Sequence, residues 1–136
     1  MKQVGINVAV VHGGGPQIDE QLQKVGIERN FKDGIRVTDT KTIEIVADTL
    51  TNLVNKEIVS LINHNGGNAI GVAKDKNDVI KVQKYMTEDK DYGYVGEIVD
   101  VDSNYLYDLM TSNYIPVIAP LGFDENDDIF NINADS

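Results

Sequence analysis

The sequence predicts an α/β fold, and three observations carry that prediction. Residues 6–11 form a β-branched, apolar run that ends abruptly in His12-Gly13-Gly14-Gly15-Pro16, as a buried strand feeding a glycine turn does. Ile18, Leu22 and Val25 then recur at helical spacing, with Pro16 at the start and Gly26 just past the end. Further strand-like and helix-like stretches alternate to the end of the chain, with no linker, low-complexity segment or repeat between them.

The remaining elements follow in order. Residues 31–38 read as a loop or short strand. Asp39 or Thr40 can cap a long helical stretch in which Ile43, Val46, Leu50, Leu53, Val54, Ile58, Leu61 and Ile62 recur, with room for a break near Asn55. Asn65-Gly66-Gly67 stops it. Residues 69–73 and 79–84 flank Lys74-Asp75-Lys76-Asn77-Asp78, which predicts a hairpin. Residues 94–101 predict a strand, and Ser103 a cap for a short helix carrying Leu106, Leu109 and Met110. Residues 115–120 predict a buried strand with its prolines at the ends or edge, and a polar turn at 124–128 leads into residues 129–136.

At 136 residues the chain is one domain or part of one, long enough to bury a core without staples. Cysteine is absent, which excludes disulfide frameworks, thiolate metal sites and cysteine nucleophiles. Hydrophobic residues are 41% and charged residues 25%, an ordinary globular balance. No apolar run has the length of a membrane span and no secretory signal opens the chain, so a cytoplasmic location and no membrane partner are expected. The net charge is −10, and it is uneven: residues 1–68 hold seven Lys/Arg against eight Asp/Glu, residues 69–136 five against fourteen. Such a surface repels a phosphate backbone, so no nucleic-acid partner is expected. Only two arginines occur, Arg29 and Arg36.

The glycine loop is the sharpest chemical signal. Glycines let backbone approach a ligand, and the following helix aims free N–H groups at an anion; a tight turn without a ligand is the plain alternative. The loop is neither a Walker A sequence nor a dinucleotide fingerprint. His-Gly-Gly-Gly is also the oxyanion loop of lipases and esterases, but Ser60, Ser103, Ser112 and Ser136 all lack a nucleophile elbow. His12, without a partner carboxylate motif, reads as structural, and His64 as a helix-dipole partner. Arg36, in the glycine-flanked segment 33–39, suits bidentate capture of a carboxylate or a surface ion pair equally well. Asp124, Asn126, Asp128 and Asp135 match a calcium loop in part, but Ile129 stands where glycine is required. Asn131, Asn133 and Asp135 would share one face at a strand end, where they could position a substrate or simply cap a helix.

In this order, Val10-Val11-His12-Gly13-Gly14-Gly15-Pro16-Gln17, Asp33-Gly34-Ile35-Arg36-Val37-Thr38-Asp39, residues 54–62, Gly93-Tyr94-Val95-Gly96-Glu97-Ile98, residues 114–120 and Asn131-Ile132-Asn133-Ala134-Asp135 resemble the amino-acid kinase superfamily, in its acetylglutamate kinase branch. The resemblance runs from Val8 to Ser136. It implies a three-layer αβα sandwich with a mainly parallel central sheet. It also implies transfer of the γ-phosphoryl of ATP, with magnesium, to the side-chain carboxylate of N-acetyl-L-glutamate in arginine biosynthesis. By the same resemblance Gly14 and Gly15 hold the substrate carboxylate and the moving phosphoryl, Arg36 clamps the α-carboxylate and Asn131 binds the backbone-side groups. Asp135 would orient catalytic lysines, so the catalytic roles fall to Gly14 and Asp135. Family members are about twice as long, with a Lys-x-Gly-Gly strand before the present Met1 and an ATP-binding lobe after Ser136. Residues 1–136 are therefore expected to be a single partial domain, the acetylglutamate-binding lobe without its first strand. It should hold no ATP and be inactive alone, and homo-oligomers are expected through the helix of residues 40–65. A non-catalytic amino-acid-binding regulatory module and a sister kinase acting on an aminoadipate derivative are the competing readings.

Overall fold

The computed structural model describes residues 7–132. Ile6 of the first predicted strand, Asn133 and Asp135 lie outside the described residues.

Strand β1 (Val10–Val11) leads through the glycine loop into helix α1 (Gly15–Lys24). A tight hairpin follows, β2 (Phe31–Lys32) and β3 (Ile35–Arg36), turned by Asp33 and Gly34 with φ of 55° and 79°. Both central residues at positive φ match the right-handed twist of a two-residue hairpin. The long apolar stretch folds as α2 (Thr40–Asp48), a π-helical segment (Thr49–Asn55) and α3 (Lys56–His64). The expected break near Asn55 is thus a wide turn and not a gap. The wide turn brings Thr49, Leu50, Val54 and Asn55 all to the inside. Strands β4 (Ala69–Val72), β5 (Ile80–Met86) and β6 (Asp91–Val101), helix α4 (Ser103–Thr111), and strands β7 (Ile115–Ile118), β8 (Leu121–Phe123) and β9 (Ile129–Ile132) complete the chain.

Two sheets position the site. The first is parallel, in the order β1-β7-β4; the second closes on itself in the order β5-β6-β9-β8. The α/β class and the parallel sheet agree with the sequence reading. The closed sheet is an addition that local patterns do not reveal, because β6 pairs parallel with β9 and β5 with β8 across long separations. The hairpin expected across residues 74–78 is not formed. Residues 69–72 pair instead with 115–118, and β5 pairs antiparallel with β6. The turn signal is real, but it joins two sheets and not two neighbours. Pro116 lies within the central strand and not at an edge. It is tolerated because β1 meets β7 only at Val117 and Ile118, so Pro116 faces one neighbour, Ile70.

Ile18 and Leu22 of α1 meet Ile43, Val46, Ala47 and Leu50 in one core cluster, and Val72, Val79, Ile80, Val82 and Phe130 form a second. Helix α4 is capped by Asp102 rather than Ser103, its side chain accepting the Tyr105 N–H at 3.0 Å. Asp39 caps α2 by accepting the Thr42 N–H at 2.8 Å, and that bond above all holds its carboxyl below the ordinary value of 3.8. Because the folded value is the lower one, the stabilisation is complete above 3.8 and fades as pH falls through the folded value. Asp39→Ala is expected to cost about 1 kcal/mol at neutral pH. Urea unfolding of both proteins across pH should show that difference constant above 3.8 and closing as pH falls below it.

Candidate functional site

The glycine loop is held from below. The His12 N–H donates to the Ile118 carbonyl at 3.3 Å, and the Gly14 carbonyl accepts the Ile18 N–H at 2.9 Å to begin α1. A β-carbon on Gly14 would stand 2.7 Å from Leu50 Cδ2 and 3.3 Å from Val54 Cγ2, whereas Gly13 and Gly15 face open space. No side chain caps α1. Among the described residues, the N–H groups of Gly13, Gly14 and Gly15 have no hydrogen-bond partner. The loop therefore offers donors at the positive end of a helix.

Arg36 stands across from them. It is 7% exposed, its Nη1 lies 2.9 Å from Asp19 Oδ1, and its Nη2 reaches the Gly15 carbonyl only at 3.5 Å. The 2.9 Å contact is an ion pair without an aligned N–H, so both buried atoms lack a hydrogen bond. The guanidinium lies 4.6 Å above the Phe31 ring, whose centroid is 4.8 Å from the Arg29 guanidinium. Arg29 Nε also lies 3.6 Å from Asp19 Oδ2. Both arginines of this acidic chain therefore gather around one aromatic ring and one carboxylate.

Thr38, fully buried, ties this wall to the rest. Its hydroxyl donates to the Arg36 carbonyl at 2.8 Å and accepts from Asn131 Nδ2 at 3.4 Å. Its backbone bridges to β6, with Thr38 N–H to the Tyr92 carbonyl at 2.8 Å and Tyr94 N–H to the Thr38 carbonyl at 2.7 Å.

A cleft of about 230 Å³ lies between these groups, lined by Gly13, Gly14, Gly15, Phe31, Arg36 and Asn131 over an apolar floor that includes Ile18 and Leu50. Gly14, Gly15, Arg36 and Asn131, singled out from sequence, thus share one cleft. Asp135 lies outside the described residues. The ion pair expected as the alternative for Arg36 does form, with Asp19, but the guanidinium is buried in it and not on the surface. His12 is buried beside the loop and does not line the cleft. The partial calcium pattern folds as a turn in which Asp124 Oδ1 accepts the N–H groups of Asn126 and Asp128 at 3.0 and 2.9 Å. Sequence reasoning misses Asp19 as the partner of Arg36, Phe31 as its platform and Thr38 as the link to Asn131. Only the adjacency of Thr38 to Arg36 in one motif hints at the last.

Gly14→Ala is expected to lower ligand affinity more than stability. Leu50 can swing the end of its side chain away for about 1 kcal/mol, but the loop must lift into the cleft to make room. Parallel unfolding and binding measurements on the variant check this.

The arrangement can hold an anionic small molecule by two ends, one on backbone N–H groups and one on a guanidinium. The model of the amino acid kinase family matches residues 1–136. Acetylglutamate kinase of Thermoanaerobacter sp. (strain X514) is 50% identical over 136 residues, 100% of this chain and 45% of that protein. Acetylglutamate kinase of Alcanivorax borkumensis is 46% identical over 148 aligned residues, 99% of this chain and 50% of that protein. The crystal structure of smu.665 from Streptococcus mutans UA159 superposes with a TM-score of 0.88 at 28% identity, over 95% of this chain and 52% of that one. N-acetylglutamate synthase from Neisseria gonorrhoeae shares the fold, with a TM-score of 0.76 at 18% identity over 95% of this chain and 31% of that one. The chain spans about half the length of the curated relatives it matches. With the family model covering every residue and the glycine loop, Arg36 and Asn131 meeting at one cleft, this chain belongs to the amino acid kinase family.

Proposed function

We propose that this chain supplies the acceptor-substrate site of an acetylglutamate kinase, in which a phosphoryl group passes to the side-chain carboxylate of N-acetyl-L-glutamate. One observation carries the reading. A buried arginine whose Nη1 makes no hydrogen bond lines the same small cleft as a run of backbone N–H groups without partners, two anion-binding functions that suit the two carboxylates of one small molecule.

The acceptor carboxylate is ionised at neutral pH, so no general base is needed; the task is positioning and charge neutralisation. Gly14 and Gly15 would present their N–H groups to the side-chain carboxylate and to the phosphoryl oxygens as charge builds. Arg36, held over the Phe31 ring and beside Asp19, would take the α-carboxylate in a two-point contact. Asn131, held through Thr38, would meet the acylated amine. Asp135 would orient cationic groups at the transferring phosphoryl. ATP, with magnesium, would supply that phosphoryl; the unpartnered loop N–H groups suit its terminal oxygens, and no set of three His, Asp or Glu side chains for a metal occurs among the described residues.

Assembly into a homo-oligomer is part of the proposal. It is supported by α3, which buries none of its residues, and by Leu53 and Leu61 at 40% and 58% exposure. No helix among the described residues is long and apolar enough to cross a membrane.

Calorimetric titration with N-acetyl-L-glutamate, with L-glutamate and an N-acyl aminoadipate as controls, tests the reading. Saturable binding preferring acetylglutamate is expected. Preference for the aminoadipate derivative would shift the assignment to a sister kinase, and no binding by the folded chain would refute it.

A further inference from the structure

His12 and Asn55 are both buried, at 8% and 4% exposure, and no step of the proposed transfer uses either. Asn55 Nδ2 lies 2.9 Å from the Val117 carbonyl and 3.0 Å from His12 Nε2, while His12 Nδ1 lies 2.8 Å from the Gly13 carbonyl. The protons can be placed from these contacts. A carbonyl only accepts, so the Asn55 atom facing Val117 is the amide nitrogen. That nitrogen donates its second proton to His12 Nε2, which must be bare. The proton of the neutral ring therefore sits on Nδ1 and is donated to the Gly13 carbonyl.

We infer that Asn55 is a positioning residue for the glycine loop, acting through the Nδ1–H tautomer of His12 to aim the Gly14 N–H into the cleft. The step from ring to loop is peptide geometry. In a trans peptide the C=O and the following N–H point in opposite directions, so a Gly13 carbonyl drawn back to His12 turns the Gly14 N–H away from it, toward the cleft that Gly13 and Gly14 line. The π-helical segment makes this possible, because it sets Leu50 and Val54 under Gly14 and Asn55 under His12 within one wide turn. Gly71 completes the seat: a β-carbon there would collide with Asn55 Oδ1. The consequence for binding rests on the proposed function; the tautomer does not.

The test uses the 15N-labelled chain, with His64→Gln to assign the two imidazoles. The expected spectrum shows a pyrrole-like Nδ1 and a pyridine-like Nε2 on His12. An Nε2–H tautomer would overturn the inference. Asn55→Ala should release the ring to the other tautomer and weaken N-acetyl-L-glutamate binding about tenfold, the scale of one lost hydrogen bond. Should that variant fail to fold, a second pair decides. His12→Asn keeps a donor near the Gly13 carbonyl and should retain most affinity, whereas His12→Phe should lose it; equal affinities contradict the inference. If the folded wild type binds no acetylglutamate, the ligand reading fails and inorganic phosphate becomes the probe. A Gly14 amide shift with phosphate that disappears in His12→Phe supports the positioning role, and no such shift overturns it.

Discussion

Arg36→Ala is expected to abolish measurable binding of N-acetyl-L-glutamate, a loss of roughly 100-fold or more, the range found when one partner of a desolvated charge pair is truncated. The size follows from placement. The guanidinium is buried, stacked on Phe31 and supplied with more donors than the protein uses, so little reorganisation precedes ligand capture. The same change leaves Asp19 Oδ1 buried, with Arg29 Nε at 3.6 Å from the other oxygen as its remaining cation. Asp19 keeps 31% side-chain exposure, so its stability cost is about 1–2 kcal/mol rather than that of a sealed pair. Arg36→Lys separates charge from shape: it keeps the cation but loses the planar fork, and should bind about tenfold more weakly than wild type. Calorimetry on the three proteins, each checked for folding by circular dichroism, decides.

The largest stability effect is expected at Gly93. Its φ of 79° is in the left-handed region, and a β-carbon there would collide with the Thr38 carbonyl oxygen, which accepts the Tyr94 N–H. That oxygen cannot swing aside as a side chain could, since it is backbone. Gly93→Ala should cost about 3 kcal/mol, from backbone strain and forced separation of the bridge together. Gly34 is the control. It has the same φ of 79°, but a β-carbon there meets open space, so Gly34→Ala should cost only about 1 kcal/mol. Urea unfolding of the two variants isolates the contact from the dihedral. Because Thr38 carries Arg36 on one side and Asn131 on the other, Gly93→Ala should also weaken ligand binding, whereas Gly34→Ala should do so less.

Much of this site is legible in the chain because its signals are local. A β-branched run cut by three glycines and a proline specifies strand, loop and helix within a few residues, and that unit alone puts free N–H groups at a strand end. The Asp39 cap and the Gly66-Gly67 stop are equally local. The parts that escape are pairings over distance. Residues 69–72 and 115–118 each read as strands, yet nothing in either names the other, so the nearby turn residues 74–78 suggest a false partner. Asp19 reads as an ordinary acid in a helix because its ion pair is with a residue on another element. Asn55 reads as a weak point in a helix. Its two hydrogen bonds, to His12 and Val117, exist only once β1 and β7 lie side by side.

We propose that the glycine loop, Arg36 and Asn131 form one binding site for an acylated acidic amino acid. The most direct test is an amide-resolved NMR titration of the chain with N-acetyl-L-glutamate. Saturable shifts with one common dissociation constant are expected at Gly14, Gly15, Arg36 and Asn131, with much weaker binding of L-glutamate. A folded chain whose four amides stay still while ligand is added, or shift with unrelated affinities, would contradict the proposal.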